Sequence, residues 1–257
     1  DDYLAQFGAQ IFTAMTVHPT ATLRTGGDLA VAFRKNSPKL AAEANAFIRT
    51  HGLGTVFGNV TARRFLQNTQ IAERATRGTD RERFLAQREL FRKYGDQYKL
   101  DYLLMMAKGY QESRLNQAAR SAVGAIGVMQ IMPALARSLD VGDVRQLEPN
   151  IHAGVKYTRQ LMDEYLGNEP LDDLNRALMT FASYNAGPTR IRQLRREAAQ
   201  RNLDPNVWFG QVERIAAERI GRETVAHVSG ISKYFVAFRL FEEDQQRRSV
   251  HRTTGGR

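Results

Sequence analysis

One carboxylate, Glu112, stands in the stretch YQESRLNQAARSAVGAIGVMQIMP (110–133), with no second acid, no histidine and no cysteine beside it. Its neighbours are small, glycine-rich or uncharged and polar, as in a binding groove. Leu104, Met105 and Tyr110 place apolar surface in the turns before Glu112. Apolar surroundings disfavour the charged form of a carboxyl group. Such a group can hold a proton near neutrality and hand it, as a general acid, to a glycosidic oxygen. Taken by itself, Glu112 equally suits a solvated helix end, the commoner place for a glutamate. GAIG (124–127) is not a GxGxxG loop and no strand precedes it, so no phosphate cradle is indicated.

The elements that must position Glu112 read as helices. LDYLLMMAKGYQESRL (100–115) is an apolar helix that runs into the quoted stretch. DRERFLAQRELFRKYG (80–95) puts Phe84, Leu85, Leu90 and Phe91 on or near one face, with Asp80 as its expected cap. PNIHAGVKYTRQLMDEYLG (149–167) lines up Ile151, Val155, Tyr157, Leu161, Met162 and Tyr165. LDDLNRALMTFASYNAG (171–187) stops at Gly187-Pro188, and helices near 188–199, 205–219 and 223–241 follow. The last carries Val225, Val228, Ile231, Phe235 and Phe238.

The first 60 residues differ in character. GGDLAVAFRKN (26–36) alternates as a strand, and SPKLAAEANAFIRTHG (37–52) reads as a helix capped by Ser37, opened by Pro38 and closed by Gly52. Leu40, Ala44, Phe47 and Ile48 form its apolar stripe, and residues 3–16 are a further expected short helix. So few elements do not bury a core of their own, so the segment reads as part of something larger. The expected organisation is 1–60, a linker over 61–83, a helical domain over 84–244 and a fraying basic tail over 245–257.

Composition narrows the class. The chain has 257 residues, 42% of them apolar, which indicates a globular protein. It has no cysteine, which excludes disulfides, thiolate metal sites and cysteine nucleophiles. No apolar run approaches the ~18 residues of a membrane span. The chain opens Asp1-Asp2 without a basic start and apolar core, as expected of a cytosolic or a trimmed chain. A net charge of +10 suits nucleic acid, anionic lipid or an acidic wall polymer, and suits soluble helix faces equally well. Charge alone points to nucleic acid; no reader motif accompanies it, so no nucleic-acid partner is expected.

ESRLNQAARSAVGAIGVMQIMP, then ASYNAGP, then RETVAHV resemble, in order, the three motifs of the soluble-type lytic transglycosylase (SLT) domain, over roughly 86–241. The resemblance implies a mainly α, goose-lysozyme-like fold that cleaves peptidoglycan glycan strands. By position it makes Glu112 the catalytic acid and base, followed by Ser113 in the helix-end motif. Ser121 would contact the sugar beside the scissile bond. Gln130 and Met132 would line the groove, with Met129 in the core. Tyr184 and Asn185 would form the opposite wall, with Glu223 opening the last helix. Gly124, Gly127 and Gly187 would serve turns and close approach. Neither a metal nor a cofactor is called for. One departure stands out: the family usually has ETxxYV, and here His227 takes the tyrosine position.

The family's reaction explains how one carboxylate suffices. Ordinary glycosidases pair two. In the family, the substrate's own 6-hydroxyl replaces water and gives a 1,6-anhydromuramic end. A muramidase using the same glutamate with water, and a binding module with a dead site, are the alternatives. GGDLAVAFRKNSPKLAAEANAFIRTHGLGT is similar to the end of a type-3 periplasmic solute-binding domain, a small α/β fragment ahead of the helical domain. That order resembles the membrane-bound lytic transglycosylase F family. It implies that the chain is a fragment of a periplasmic, outer-membrane-associated protein whose full regulatory domain would take a muropeptide or cell-wall peptide effector.

Overall fold

The computed structural model describes Ala9 and residues 16–18, 20–21, 24–25, 31–52, 54–55, 58–59 and 75–254, the last with side chains to 246. The chain divides into two compact units, Asp1–Glu73 and Arg74–Arg257.

In the first unit, helix α1 (Pro38–His51) forms where expected, with proline in its first turn. Ser37 makes no side-chain cap bond, which corrects the expected capping. At the other end Gly52 closes the helix as expected, its N–H donating to the Ile48 carbonyl at 2.7 Å. The apolar stripe is real but open: no residue of α1 is buried, and Phe47 is 60% exposed. Of the strand expected over 26–36, residues 31–34 are irregular and 35–36 form a turn. Residues 26–30 lie outside the described residues, as does the helix expected over 3–16 apart from Ala9 and Thr16. A strand persists only with a partner to pair its backbone, and none is found among the described residues.

The second unit is helical. Helix α2 (Gly78–Tyr98) begins inside the stretch expected to be linker, with Asp80 and Phe84 already buried. Asp80 does not cap it; Arg77 holds the cap position, and the Asp80 carboxylate turns inward. Helix α3 (Tyr102–Ser113) is capped by Asp101, whose carboxylate accepts from the Leu103 and Leu104 N–H groups at 2.8 and 3.1 Å. Arg114 and Leu115, both at positive φ, end it. A short helix α4 (Pro133–Leu139), unforeseen in the sequence, follows the loop.

Helices α5 (Leu147–Leu166), α6 (Asp173–Ala186) and α7 (Pro188–Gln200) fall where the periodicity puts them. Asp172 caps α6 by accepting from the Asn175 N–H at 2.7 Å, and Gly187 at φ 91° turns the chain into Pro188. The single helix expected over 205–219 is corrected. Gly210 at φ 71° and extended Phe209 break it, so a kinked turn at Trp208–Val212 precedes helix α8 (Glu213–Arg219). Helix α9 (Arg222–Thr254) continues through 245–254, where fraying is expected from the sequence.

The core gathers around α3. Met105, Met106 and Ala107 are buried, and so are Phe84, Phe91 and Phe238 from α2 and α9. Phe84 meets Phe238 at 4.8 Å and Phe241 at 5.3 Å, while Tyr110 meets Phe238 edge-on at 5.7 Å. Each such side chain contributes about 1.5–3 kcal/mol by leaving water. Helix α9 lies so close to α3 that a Cβ on Gly230 would sit 2.0 Å from the Gln111 Oε1. That approach brings residues of both helices to Glu112.

Candidate active site

The loop 114–131 that follows α3 is fastened by side chains. Asn150 on α5 is fully buried. It accepts from the Met129 N–H at 2.8 Å and donates to the carbonyls of Ile126 at 2.8 Å and Val144 at 2.9 Å. Gln117 accepts from the Val128 N–H at 3.2 Å and donates to the carbonyls of Val144 and Arg145 at 3.1 and 3.0 Å. Ser113 donates to the Val128 carbonyl at 2.9 Å and accepts from the Asn116 N–H at 3.1 Å, so its role is to pin the loop to the helix. Gly127 is required twice over: its φ is 77°, and a Cβ there would fall 2.5 Å from the Asn150 Nδ2. Backbone bridges pair Ile126 with both Arg120 and Ile131. A loop this well satisfied is a rigid wall.

Glu112 does not sit in purely apolar surroundings, and here the sequence expectation is corrected. Its Oε1 accepts from the Lys108 Nζ at 3.0 Å, and the Lys108 side chain is 0% exposed. The Glu112 side chain is 14% exposed. The same Nζ lies 3.3 Å from the ring centroid of Tyr184 on α6. The His227 Nε2 on α9 is 3.7 Å from the same Glu112 oxygen and has no hydrogen-bond partner among the described residues. Burial pushes Lys108 below the ordinary lysine range, and Glu112 works against that. Burial also lowers His227; Glu112 raises it again, Lys108 lowers it and Glu223 raises it. Burial, then the Glu112 charge and Tyr157, push the Tyr184 phenol well above its usual value, so it stays a neutral donor. Three helices thus converge on one carboxylate with a cation, an aromatic face and an imidazole.

The remaining candidates divide. Tyr184 joins the two walls: its hydroxyl donates to the Met129 carbonyl at 3.1 Å. Asn185 accepts from the Thr224 hydroxyl at 2.7 Å, which ties the second motif to the third. Gln130, at φ 48°, donates through Nε2 to the Gly127 carbonyl at 2.8 Å, and so shapes the loop. Met129 is buried as expected, while Met132 is 41% exposed, open to a ligand. Ser121 is half-buried and accepts from the Ala125 N–H at 2.9 Å; no contact brings it to Glu112. Glu223 is exposed, and its charge reaches His227. Sequence reasoning missed Lys108, although its signal was present: a lysine four residues before Glu112, inside an apolar run. Among the described residues no group of three His, Cys, Asp or Glu side chains could hold a metal ion.

Residues 89–206 match the family model of the transglycosylase SLT domain. This segment is similar to the SLT domain. The match takes in Glu112 and ASYNAGP and stops before RETVAHV (222–228). Similar proteins include a membrane-bound lytic murein transglycosylase F from Erwinia tasmaniensis, 29% identical over 174 residues, which are 63% of this chain and 34% of the relative. Another of that name, from Desulfosudis oleivorans, is 35% identical over 121 residues, 47% of this chain and 26% of the relative. The chain therefore spans about a third or less of these relatives. The X-ray structure of an inactive mutant of lytic transglycosylase Slt from Pseudomonas aeruginosa covers 69% of this chain and 28% of its own, at 23% identity and a TM-score of 0.48. Among the described residues no helix is long and apolar enough to cross a membrane.

Proposed function

We propose that the SLT domain cleaves the β-1,4 bond between N-acetylmuramic acid and N-acetylglucosamine in peptidoglycan without water. Glu112 protonates the oxygen leaving carbon 1 of the muramic residue, and the 2-acetamido group stabilises the carbon as the bond breaks. The deprotonated carboxylate then takes the proton of the same sugar's 6-hydroxyl, whose oxygen bonds to carbon 1. Glu112 ends as it began, and the products are a new glycan end and a 1,6-anhydromuramic end. One carboxyl serves both steps, so no second acid is needed.

The observation that carries this reading is Glu112 itself. It is nearly buried, within the SLT segment, and its partners are a buried lysine and an imidazole, with no carboxylate in contact with it among the described residues. Ser121, Gln130, Met132, Tyr184, Asn185 and Glu223 are proposed to hold the sugars, with Met132 the open apolar contact. The protein is proposed to act in the periplasm, where its proposed substrate lies. The full-length protein is proposed to sit at the outer membrane, with a regulatory domain that answers to a muropeptide or cell-wall peptide.

The test is the chemistry of the ends. Muropeptides released from purified sacculi should be lighter by one water than hydrolysis products and should resist borohydride reduction. Reducing muramic ends would make the protein a muramidase. No release by a folded chain would leave a binding module.

A further inference from the structure

We infer that Lys108 is a positioning residue for Glu112: its buried ammonium holds one carboxylate oxygen, leaves the other for the substrate, and sets the pH range in which the glutamate works. This rests on the reading of Glu112 as the acid and base. Three observations carry it. Lys108 is wholly buried, although lysine almost never is unless it is paired. Its Nζ finds two partners, Glu112 Oε1 at 3.0 Å and the Tyr184 ring at 3.3 Å. The His227 Nε2 approaches the same oxygen at 3.7 Å, so both neighbours converge on Oε1 and neither takes Oε2.

A lysine and a glutamate four apart on a solvated helix face contribute a few tenths of a kcal/mol. Buried, the same pair is held at 3.0 Å with little water between, so the ammonium acts directly on the charge of the carboxylate. The aromatic face of Tyr184 keeps the ammonium from swinging away. Among the described residues, the titratable groups around the pair are few. They are Lys108 and Glu112 on α3, Tyr157 on α5, Tyr184 on α6, and His227 and Glu223 on α9. The loop 127–131 (GVMQI) adds no titratable group. The ammonium therefore opposes the proton that Glu112 must hold at the start of the cycle. It favours the carboxylate that must follow once the leaving oxygen has been protonated. Removing it should trade one step against the other and move the pH limits of turnover.

The experiment is the pH profile of kcat and KM on soluble glycan strands for the full chain, for Lys108→Met and for Glu112→Gln. Methionine nearly conserves volume, but removing one member of a buried pair costs stability, so folding of Lys108→Met is checked first. The expected result is that Lys108→Met moves the high-pH fall of kcat upward by about one unit or more, with KM changed less than about threefold. An unmoved profile in Lys108→Met, with Glu112→Gln inactive, overturns the inference and leaves the catalytic reading standing. Activity in Glu112→Gln overturns both. Should Lys108→Met fail to fold, nitrogen-15 spectra of the lysine Nζ in the unsubstituted chain and in Glu112→Gln decide. The Lys108 signal should lose its proton at lower pH once Glu112 is gone, and an unchanged titration would overturn the inference.

Discussion

Two carboxylates meet helix α3, and they are treated in opposite ways. Asp80 is closed. The Tyr110 hydroxyl donates to it at 2.6 Å, the Arg114 guanidinium grips it through Nε at 3.1 Å and again through Nη2, and Arg83 stands 3.7 Å away. Burial, then the hydrogen bond to Asp80, push the Tyr110 phenol up, and Asp80 raises Arg114. Glu112 lies two residues past Tyr110 and is open. Both of its neighbours turn to one oxygen, and one of them, the His227 Nε2, has no hydrogen-bond partner among the described residues. A carboxylate whose Oδ2 takes the Tyr110 and Arg114 donors, with Arg83 beside Oδ1, ties α2 to the end of α3. A carboxylate with a spare oxygen and an unsatisfied imidazole beside it is free to move a proton.

Breaking the closed cluster should cost the most stability. Asp80→Ala leaves the buried Tyr110 hydroxyl unpaired, whereas Arg114, 62% exposed, is re-solvated. The expected loss is about 2–3 kcal/mol, below the cost of stranding a fully buried charge. Urea unfolding measures it. Turnover per folded molecule should stay within about twofold, since Asp80 touches nothing that reacts. A loss of turnover larger than the loss of folded protein would erase the contrast between the clusters.

A smaller effect sharpens the contrast from the open side. Burial lowers the His227 pKa below 6.5 in the folded chain, and the unfolded chain keeps the ordinary value. As pH falls below about 6.5 the unfolded state takes up the proton first, so stability present above that pH is lost on the way down. His227→Phe should remove its part of this slope, by less than about 1 kcal/mol between pH 7 and pH 5. It should not remove all of it, because burial also lowers His152. Denaturant midpoints across that range test this. An unchanged slope would mean that His227 is not held neutral beside Glu112.

Much of the second unit was legible in the sequence. The boundaries of α5, α6 and α7 follow from apolar periodicity and from Gly187-Pro188, which are local signals. Asp80 was not legible: an acid at the head of a helix reads as a cap, and only the return of Arg114 from the far end of α3 makes it a buried anchor. Lys108 was hidden differently. Its spacing from Glu112 is plain, but whether that pair is solvated or buried depends on α6 and α9 closing over it. The break at Gly210 left only a lone glycine as a sign. The alternation over 26–36 does not give a strand at residues 31–36, where no partner strand is found among the described residues.

The account stands or falls on Glu112→Gln, assayed on purified sacculi beside the unsubstituted chain, with thermal unfolding recorded on the same samples. Glutamine keeps an acceptor oxygen for Lys108 but can neither give nor retrieve the proton. A folded protein with turnover reduced by at least about 10²-fold is predicted. A folded protein that still releases muropeptides within about tenfold of the original rate would contradict it.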